Sequence, residues 1–446
     1  MMRSDTNKLN RALALTLSLG VIFSTVFIGL NRPLLWAGFS TMIGLVAMIY
    51  FANLWRVAPN RTLAARKLWP AFACAALVPI WAIVQSIALP QGQGWGSLLS
   101  PDLQPSTLSL MPDAGRSASV RFAFYGLWMA LVLEAARRVS RGRLMLQILF
   151  WGVSAHALWG LLALNVLGDI TVWGEAKTTY QGFATGVFIN RNSFASFLAM
   201  GAVIGVTLLI VPAANQSSHR STLLSHGNVT NGLYALGLVI IFAALFATGS
   251  RLGVACALLA CLLCIGVCLA QRGLSAWRIV LGSLGLIALG GGAMALLYGK
   301  EGILRLFDLS IAGDVRMAAW GRIWDLILLR PLTGYGFETF RPAYELIHGG
   351  TGAGEQIWDR AHATYLSLWL ELGLIIGTVP IALFFWAAMV LVRRVHARGR
   401  DAPLAIAALF AMLAVGLHSL GDFGLEMPAN VFLLLTLVGI GLAPRA

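Results

Sequence analysis

Charged residues are scarce. They make up 11% of the 446-residue chain, where an ordinary soluble protein has about a quarter. That shortage excludes a conventional water-solvated surface. Cysteine is rare too. The five present, Cys74, Cys256, Cys261, Cys264 and Cys268, all fall inside apolar runs, which argues against extracytoplasmic disulfides. Cys261 and Cys264 form a C-x-x-C with no second pair or histidine nearby. Close helix packing by small side chains is the expected role, not metal or redox chemistry. The glycine-rich Gly349 to Gly354 lacks Gly-Lys-Ser/Thr and any preceding strand, so a nucleotide P-loop is excluded and a flexible lid segment is expected. There is no Asp-x-Asp in an outer loop and no His-x-x-x-His, so the expected chemistry needs neither metal nor cofactor. Strand alternation of the barrel type is missing as well.

Apolar sequence is what the chain has: 58% of its residues are hydrophobic. Runs of about 18 or more apolar residues recur along the whole length, each sufficient to cross a hydrocarbon core of ~30 Å. Backbone polar groups in lipid must pair internally, so these runs are helices. The expected fold is an all-α polytopic membrane protein, one integral membrane domain over residues 1–446 with about twelve transmembrane helices. The spans fall near 12–30, 34–55, 69–89, 119–136, 144–167, 193–212, 231–249, 252–270, 279–298, 364–392, 404–420 and 428–443. The tenth is long enough to tilt, or to project from the membrane at its start. Arg3, Lys8 and Arg11 precede the first, whose length and lack of a cleavage site mark a retained helix.

The net charge of +14 invites a nucleic-acid reading, but lysine and arginine collect in cytoplasmic loops. With the N-terminus inside, four cytoplasmic loops carry Arg56, Arg61, Arg66 and Lys67; Arg137, Arg138, Arg141 and Arg143; Arg272 and Arg278; and Arg393, Arg394, Arg398 and Arg400. Both termini are then cytoplasmic. The large loop 299–361, opened by Gly299-Lys300-Glu301, faces outward. Within it, 315–329 reads as an amphipathic helix with Ala319, Ile323, Leu326 and Ile327 on one side, Asp314 able to cap its start and Arg330-Pro331 ending it. Trp320 and Trp324 suit a membrane interface, where an indole N–H stays wet. Such a helix lies on the bilayer or covers a cavity.

Several polar residues converge on the outer side. Arg191, Arg251, Arg316, His362 and His418 come from four separate outer segments. Arginine forks suit a pyrophosphate, and histidine acts as a base near neutral pH. Arg191 and Arg251 stand against the charge bias, each wedged in a short polar turn between apolar runs. Glu371 lies nine residues beyond His362. On a continuous helix it points to the opposite side, about 13 Å further on, and does not orient the histidine.

These pieces resemble the O-antigen ligase and polymerase superfamily of bacterial envelope glycosyltransferases. The matching residues are Asn190-Arg191-Asn192 with Phe194-Ala195, Thr248-Gly249-Ser250-Arg251 with Gly253, and Arg316 with Trp320. Pro331, Gly334 and Gly336 follow, then His362 with Tyr365-Leu366, Glu371 and Gly373, and finally His418-Ser419 through Pro428-Ala429-Asn430. They cover about residues 180–430. The resemblance implies a GT-C-like helical fold with a large periplasmic loop, in the bacterial inner membrane. It implies a donor glycan on undecaprenyl diphosphate, and an acceptor hydroxyl on lipid A core or on another lipid-linked glycan. His362 becomes the base, Arg191 and Arg251 the diphosphate ligands, and the configuration inverts. Arg316 and Trp320 line the sugar side, with Asn190, Tyr365 and His418 as further substrate-binding candidates. Ala363 stands where ligases commonly carry Asn, Ser or Gln, so ligase and polymerase both stay open. A lipid-linked glycan flippase or transporter is the rival class. It calls for internal repeats and broken helices near the midplane, and no convincing repeat relates the two halves.

Overall fold

The computed structural model describes residues 2–89, 107–211, 226–273, 312–346 and 358–445, together with the isolated positions 277, 281, 285 and 292. The expected ninth span (279–298), the polar start of the long loop and Gly349 to Gly354 lie outside the continuously described residues.

Thirteen helices are described: α1 (Met2–Val26), α2 (Pro33–Val57), α3 (Trp69–Gln85), α4 (Pro112–Ala135), α5 (Val139–Asn165), α6 (Arg191–Ile210), α7 (His226–Ala247), α8 (Arg251–Gln271), α9 (Ala312–Leu329), α10 (Phe340–Glu345), α11 (Thr364–His396), α12 (Ala402–His418) and α13 (Pro428–Leu442). Nine apolar segments (Asp5–Val26 of α1, α2, Ala64–Gln85 ending in α3, α4, α5, α6, Val229–Ala247 of α7, α8 and α11) are long and apolar enough to cross a membrane, and α12 and α13 are shorter apolar helices. The chain is an all-α polytopic membrane protein. Eleven expected spans therefore have a helix. Among the described residues the β-structure amounts to one isolated bridge, Ile170 to Ala176.

The central helix is α6. Its apolar window is 89% buried, against 17% for α11, so α6 meets protein all round and α11 shows most of its surface to the surroundings. Helix α6 packs on α5, α7, α8 and α12, while α11 packs on α3, α9 and α12. Large buried rings, Trp128, Phe150, Phe194, Phe197 and Phe432, fill the middle. Between helices in lipid such close packing supplies much of the attraction.

Hydrogen bonds sort the polar chain into two ends. At one, Arg138 and Arg141 donate to Asn7, Arg143 to the Val211 carbonyl, and Arg394 to the carbonyls of Gly441, Leu442 and Ala443. Most of the expected cytoplasmic arginine loops meet there. At the other end lie the starts of α6, α8 and α11 and the loop after α12.

The amphipathic helix is present as α9, and Ala319, Ile323, Leu326 and Ile327 are all buried. They form a second core with Tyr335, Phe340, Ala343, Tyr344, Ala361 and Leu370, so α9 packs on its own loop and on α11. Three expectations are corrected. The helix starts at Ala312, which puts Asp314 inside the first turn instead of ahead of it. Trp320 donates its indole N–H to the Ala361 carbonyl at 3.0 Å, so it is spent on protein. Helix α4 begins at Pro112, well before residue 119, with proline in the first turn where its missing N–H costs nothing.

The long tenth span is interrupted. Gly373 sits at φ 77°, ψ 165° inside α11, a backbone open to glycine and strained for other residues. The break frees carbonyls that a regular helix would use. Tyr335 N–H bonds Leu370 O and Gly336 N–H bonds Glu371 O, both at 3.0 Å, and Leu374 N–H bonds Pro331 O at 2.7 Å. The Pro331 to Gly336 turn thus docks into the broken helix. The amide of Gln85 on α3 clamps both, donating to Thr333 O and Glu371 O at 2.6 and 2.8 Å.

Candidate functional site

The site begins at three helix starts. Asn190 is the N-cap of α6: its side-chain oxygen accepts from the N–H groups of Asn192 and Ser193 at 2.7 and 3.1 Å, satisfying donors the helix leaves unpaired. Arg191 follows and turns back over the loop before it. Its guanidinium carbon lies 4.2 Å from the centre of the Phe183 ring and 5.9 Å from that of Tyr180. Gly249, at φ 60°, makes room for this stack. A Cβ there would meet the Phe183 ring at 2.6 Å and Arg191 Nη1 at 3.0 Å. The α7–α8 turn is fixed by Thr248 Oγ1, which accepts from Ser250 N–H at 3.1 Å, and it delivers Arg251, exposed, at the first position of α8. Arg251 and Arg316 both lie within electrostatic reach of Arg191. Arg316 is tied to the loop after α12 by donating to Gly421 O at 3.1 Å.

Among the described residues no carboxylate lies within ion-pair distance of Arg191, Arg251 or Arg316. Arg191 Nε is buried without a protein partner. The nearest acidic influence is Asp422, 1% exposed. Its Oδ2 accepts from the Asn192 amide at 2.8 Å, and its Oδ1 has no partner. Burial pushes this carboxyl up to about 7, with Asn192 and Arg316 opposing.

His362 precedes α11 in a left-handed conformation, φ 50°, costing on the order of 1–3 kcal/mol. Its half-buried ring sits edge-on between Trp358 (5.5 Å) and Phe423 (4.9 Å). Nδ1 has no protein partner. Burial, and then the charge of Arg316, lower the imidazole to about 4. It is therefore neutral at neutral pH, with a lone pair to offer. Glu371 is engaged elsewhere, as its helical position implies: its carboxylate accepts from the N–H groups of Glu338 and Phe340 at 2.9 and 3.2 Å, at the start of α10.

The structure thus gathers Arg191, Arg251, Arg316, Trp320 and His362 at one end of the bundle. Three other candidates are occupied by protein. The Asn190 amide group donates to Tyr180 Oη at 2.9 Å while its oxygen caps α6. Tyr365 donates its hydroxyl to Gly416 O at 2.8 Å, joining α11 to α12. His418, 3% exposed, has Nδ1 2.8 Å from Ser196 Oγ and Nε2 3.5 Å from Ser250 Oγ. Tyr365 and His418 brace the site through these bonds, while Asn190 both caps α6 and lines the cavity beside it.

Sequence reading gave no role to Phe183, Tyr180 and Asp422, nor to Asn192, which it quoted only as part of a motif. An acidic residue four positions after His418, in a short outer turn, was the available signal for Asp422. Nothing local announces the ring under Arg191. A cavity of about 490 Å³ opens beside these groups, reaching Tyr180 on one side and Phe423 on the other.

Residues 236–380 match the family model described as O-antigen ligase. The match supports placing this chain in the O-antigen ligase and polymerase superfamily. It runs from the middle of α7 through α8, α9 and α10 to the first half of α11, and so includes Arg251, Arg316, Trp320 and His362. Arg191 and the turn after His418 fall outside it, and join the site through the contacts above. No curated protein matches the chain. The match to an O-antigen ligase family supports a membrane enzyme that transfers glycans.

Proposed function

We propose that the protein is an inverting glycosyltransferase that moves a glycan from undecaprenyl diphosphate to an acceptor sugar hydroxyl at the periplasmic face of the bacterial inner membrane. The observation that carries this reading is a half-buried histidine in the field of Arg316, at the end of the bundle where Arg191, Arg251 and Arg316 come within electrostatic reach of one another and have no carboxylate partner among the described residues. The acceptor oxygen attacks the anomeric carbon from the side opposite the diphosphate. The bond from that carbon to the diphosphate oxygen breaks, and its electron pair leaves with the diphosphate. The hydroxyl proton passes to the His362 imidazole. Arg191 and Arg251 hold the diphosphate and meet the charge that develops on it, the kind of preorganised stabilisation that is often the largest catalytic contribution. Arg316 completes the positive field, so the residues themselves supply the charge neutralisation and the reading is metal-independent. A bound diphosphate also offsets the charge that depresses His362, raising its basicity when substrate is present.

Arginines gathered at the far end of the bundle support a cytoplasmic placement of that end and of both termini. The acceptor is lipid A core for a ligase, or a lipid-linked glycan for a polymerase of O-antigen or exopolysaccharide units. The test is reconstitution of the purified protein with undecaprenyl-diphosphate glycan and each acceptor. Transfer to lipid A core identifies the ligase and lengthening of the lipid-linked glycan the polymerase. Translocation of the lipid without transfer would replace the reading with a flippase.

A further inference from the structure

Beside the arginine cluster, the cavity of about 490 Å³ has a different electrostatic character. Its volume falls within the ~300–1,000 Å³ common for small-molecule sites. The charged side chains lining it are Arg32, Arg341 and Arg360 against Glu338, Asp359 and Glu371. The buried Glu371 carboxyl is spent on the N–H groups of Glu338 and Phe340. Among the rest, with the partners Arg121, Glu345 and Glu426 included, four guanidiniums face four carboxylates, so the charges around the cavity balance.

Most of these groups are anchored by protein. Arg341 pairs with Glu345 at 2.9 Å and with Asp359 at 3.4 Å, Arg360 pairs with Glu426 at 2.9 Å, and Arg121 pairs with Glu338. A carboxylate held by one partner keeps further acceptor sites free, and a guanidinium has five N–H donors. The lining therefore offers fixed donors and acceptors of both kinds with little pull on an ion. Tyr180, Phe340 and Phe423 add aromatic surface. Phe340 is 3% and Phe423 8% exposed, so they form the buried floor, while Arg341 and Asp359, 51% and 68% exposed, form the rim. Mixed acceptors and donors above aromatic faces complement a polyol that has hydroxyls on its edges and C–H groups on its faces. The walls join the two halves of the chemistry, since Tyr180 lies beneath Arg191 and Phe423 lies against His362.

We infer that this cavity is a binding subsite for an uncharged pyranose unit, set between the diphosphate-binding arginines and His362. The subsite rests on the glycosyltransferase reading for its role, though not for its ligand chemistry. The pyranose belongs either to the donor glycan or to the acceptor.

Binding is read without turnover. Saturation-transfer NMR on the full chain in nanodiscs uses the methyl glycosides of glucose, galactose, mannose and N-acetylglucosamine, with methyl glucuronide as the anionic control. At least one neutral glycoside binds and the glucuronide does not. Asp359→Lys, a rim change, gives the lining a net charge of about +2; it weakens the neutral ligand at least about fivefold and admits the glucuronide. His362→Ala, which removes none of the lining residues, keeps the preference for the neutral glycoside over the glucuronide. The inference is overturned if no neutral glycoside binds, if the glucuronide binds the wild type equally well, or if Asp359→Lys leaves the preference as it was. In the transfer assay, a raised KM for the donor alone assigns the subsite to the donor glycan, and a raised KM for the acceptor alone assigns it to the acceptor. Unchanged KM for both overturns its role. Loss of the transferase reading through His362→Ala leaves the binding result standing, so the two failures are told apart.

Discussion

At one end of the bundle, Glu134 receives Arg61 at 3.0 Å and Arg137 at 3.5 Å, and Asp401 receives Arg445 at 3.1 Å and Arg394 at 3.8 Å. At the other end, among the described residues, Arg191 and Arg251 have neither a carboxylate nor a carbonyl partner, and Arg316 has one carbonyl. The residue type is the same and the solutions are opposite. Where arginine serves the fold, each charge is neutralised or hydrogen-bonded by the chain itself. Where we propose that it meets a ligand, no described carboxylate pairs with it, and a ring, Phe183, lies under Arg191 instead. Cation–π stacking positions a guanidinium without cancelling its charge.

The largest test of that contrast is the base. His362→Ala is expected to lower the transfer rate by about 10²–10⁴, with the protein still inserted and folded; a rate equal to wild type would remove His362 from the chemistry. Arg191→Ala and Arg251→Ala should each cost about 10²–10³ in rate. Lysine should restore little, because a point charge lacks the planar fork. Full rescue by lysine would mean that only charge matters there. At the opposite end the expectation reverses. Glu134 is 1% exposed, and Glu134→Ala leaves two mostly buried guanidiniums unpaired, at a cost of about 3 kcal/mol. Unfolding in detergent should report that loss while transfer at low temperature persists. A variant of normal stability and impaired transfer would dissolve the distinction between the two ends.

Two smaller effects sharpen it. With His362 near 4 in the free protein, kcat/KM should hold steady down to about pH 5 and fall about tenfold per unit below 4, as the base is protonated. The inflection in kcat should lie higher, because the bound diphosphate raises the imidazole. A kcat/KM inflection near the ordinary histidine value would show a solvated ring. The same depression has a stability consequence: the unfolded chain takes up the proton first, so this contribution is lost as pH falls from about 6.5 toward 4. Asn190→Ala should cost about 1 kcal/mol as a lost cap, with a modest rise in donor KM as Arg191 loosens. A stability identical to wild type would deny the capping role.

The helical architecture was legible in the sequence because lipid leaves few choices: a long apolar run must be a helix. That the arginines and His362 gather at one end was legible by topology, since all lie at outer ends of spans or in the outer loop, Arg191 and Arg251 against the charge bias. The partners were not. Phe183, Tyr180, Asn192 and Asp422 reach the site through turns whose geometry depends on Gly249 and on the packing of α6, α8 and α12, all non-local. Asn190, Tyr365 and His418 carried the family pattern as strongly as Arg191, and side-chain partners alone separate the braces from the open groups. Glu371 was readable as a non-partner of His362 by helical angle. The break at Gly373, which explains the glycines of two motifs at once, was not.

The amide of Gln85 gives the chain a schedule. It joins α3 to two carbonyls that are 248 and 286 residues further along. Helix α3 leaves the ribosome long before the broken helix exists, so the clamp waits through the insertion of most of the bundle. The turn after α12, which supplies Phe423 and Asp422, arrives later still. A chain halted before that turn holds Arg191, Arg251 and His362 without the walls that align them. The proposed site is therefore complete only once that late turn has joined the bundle.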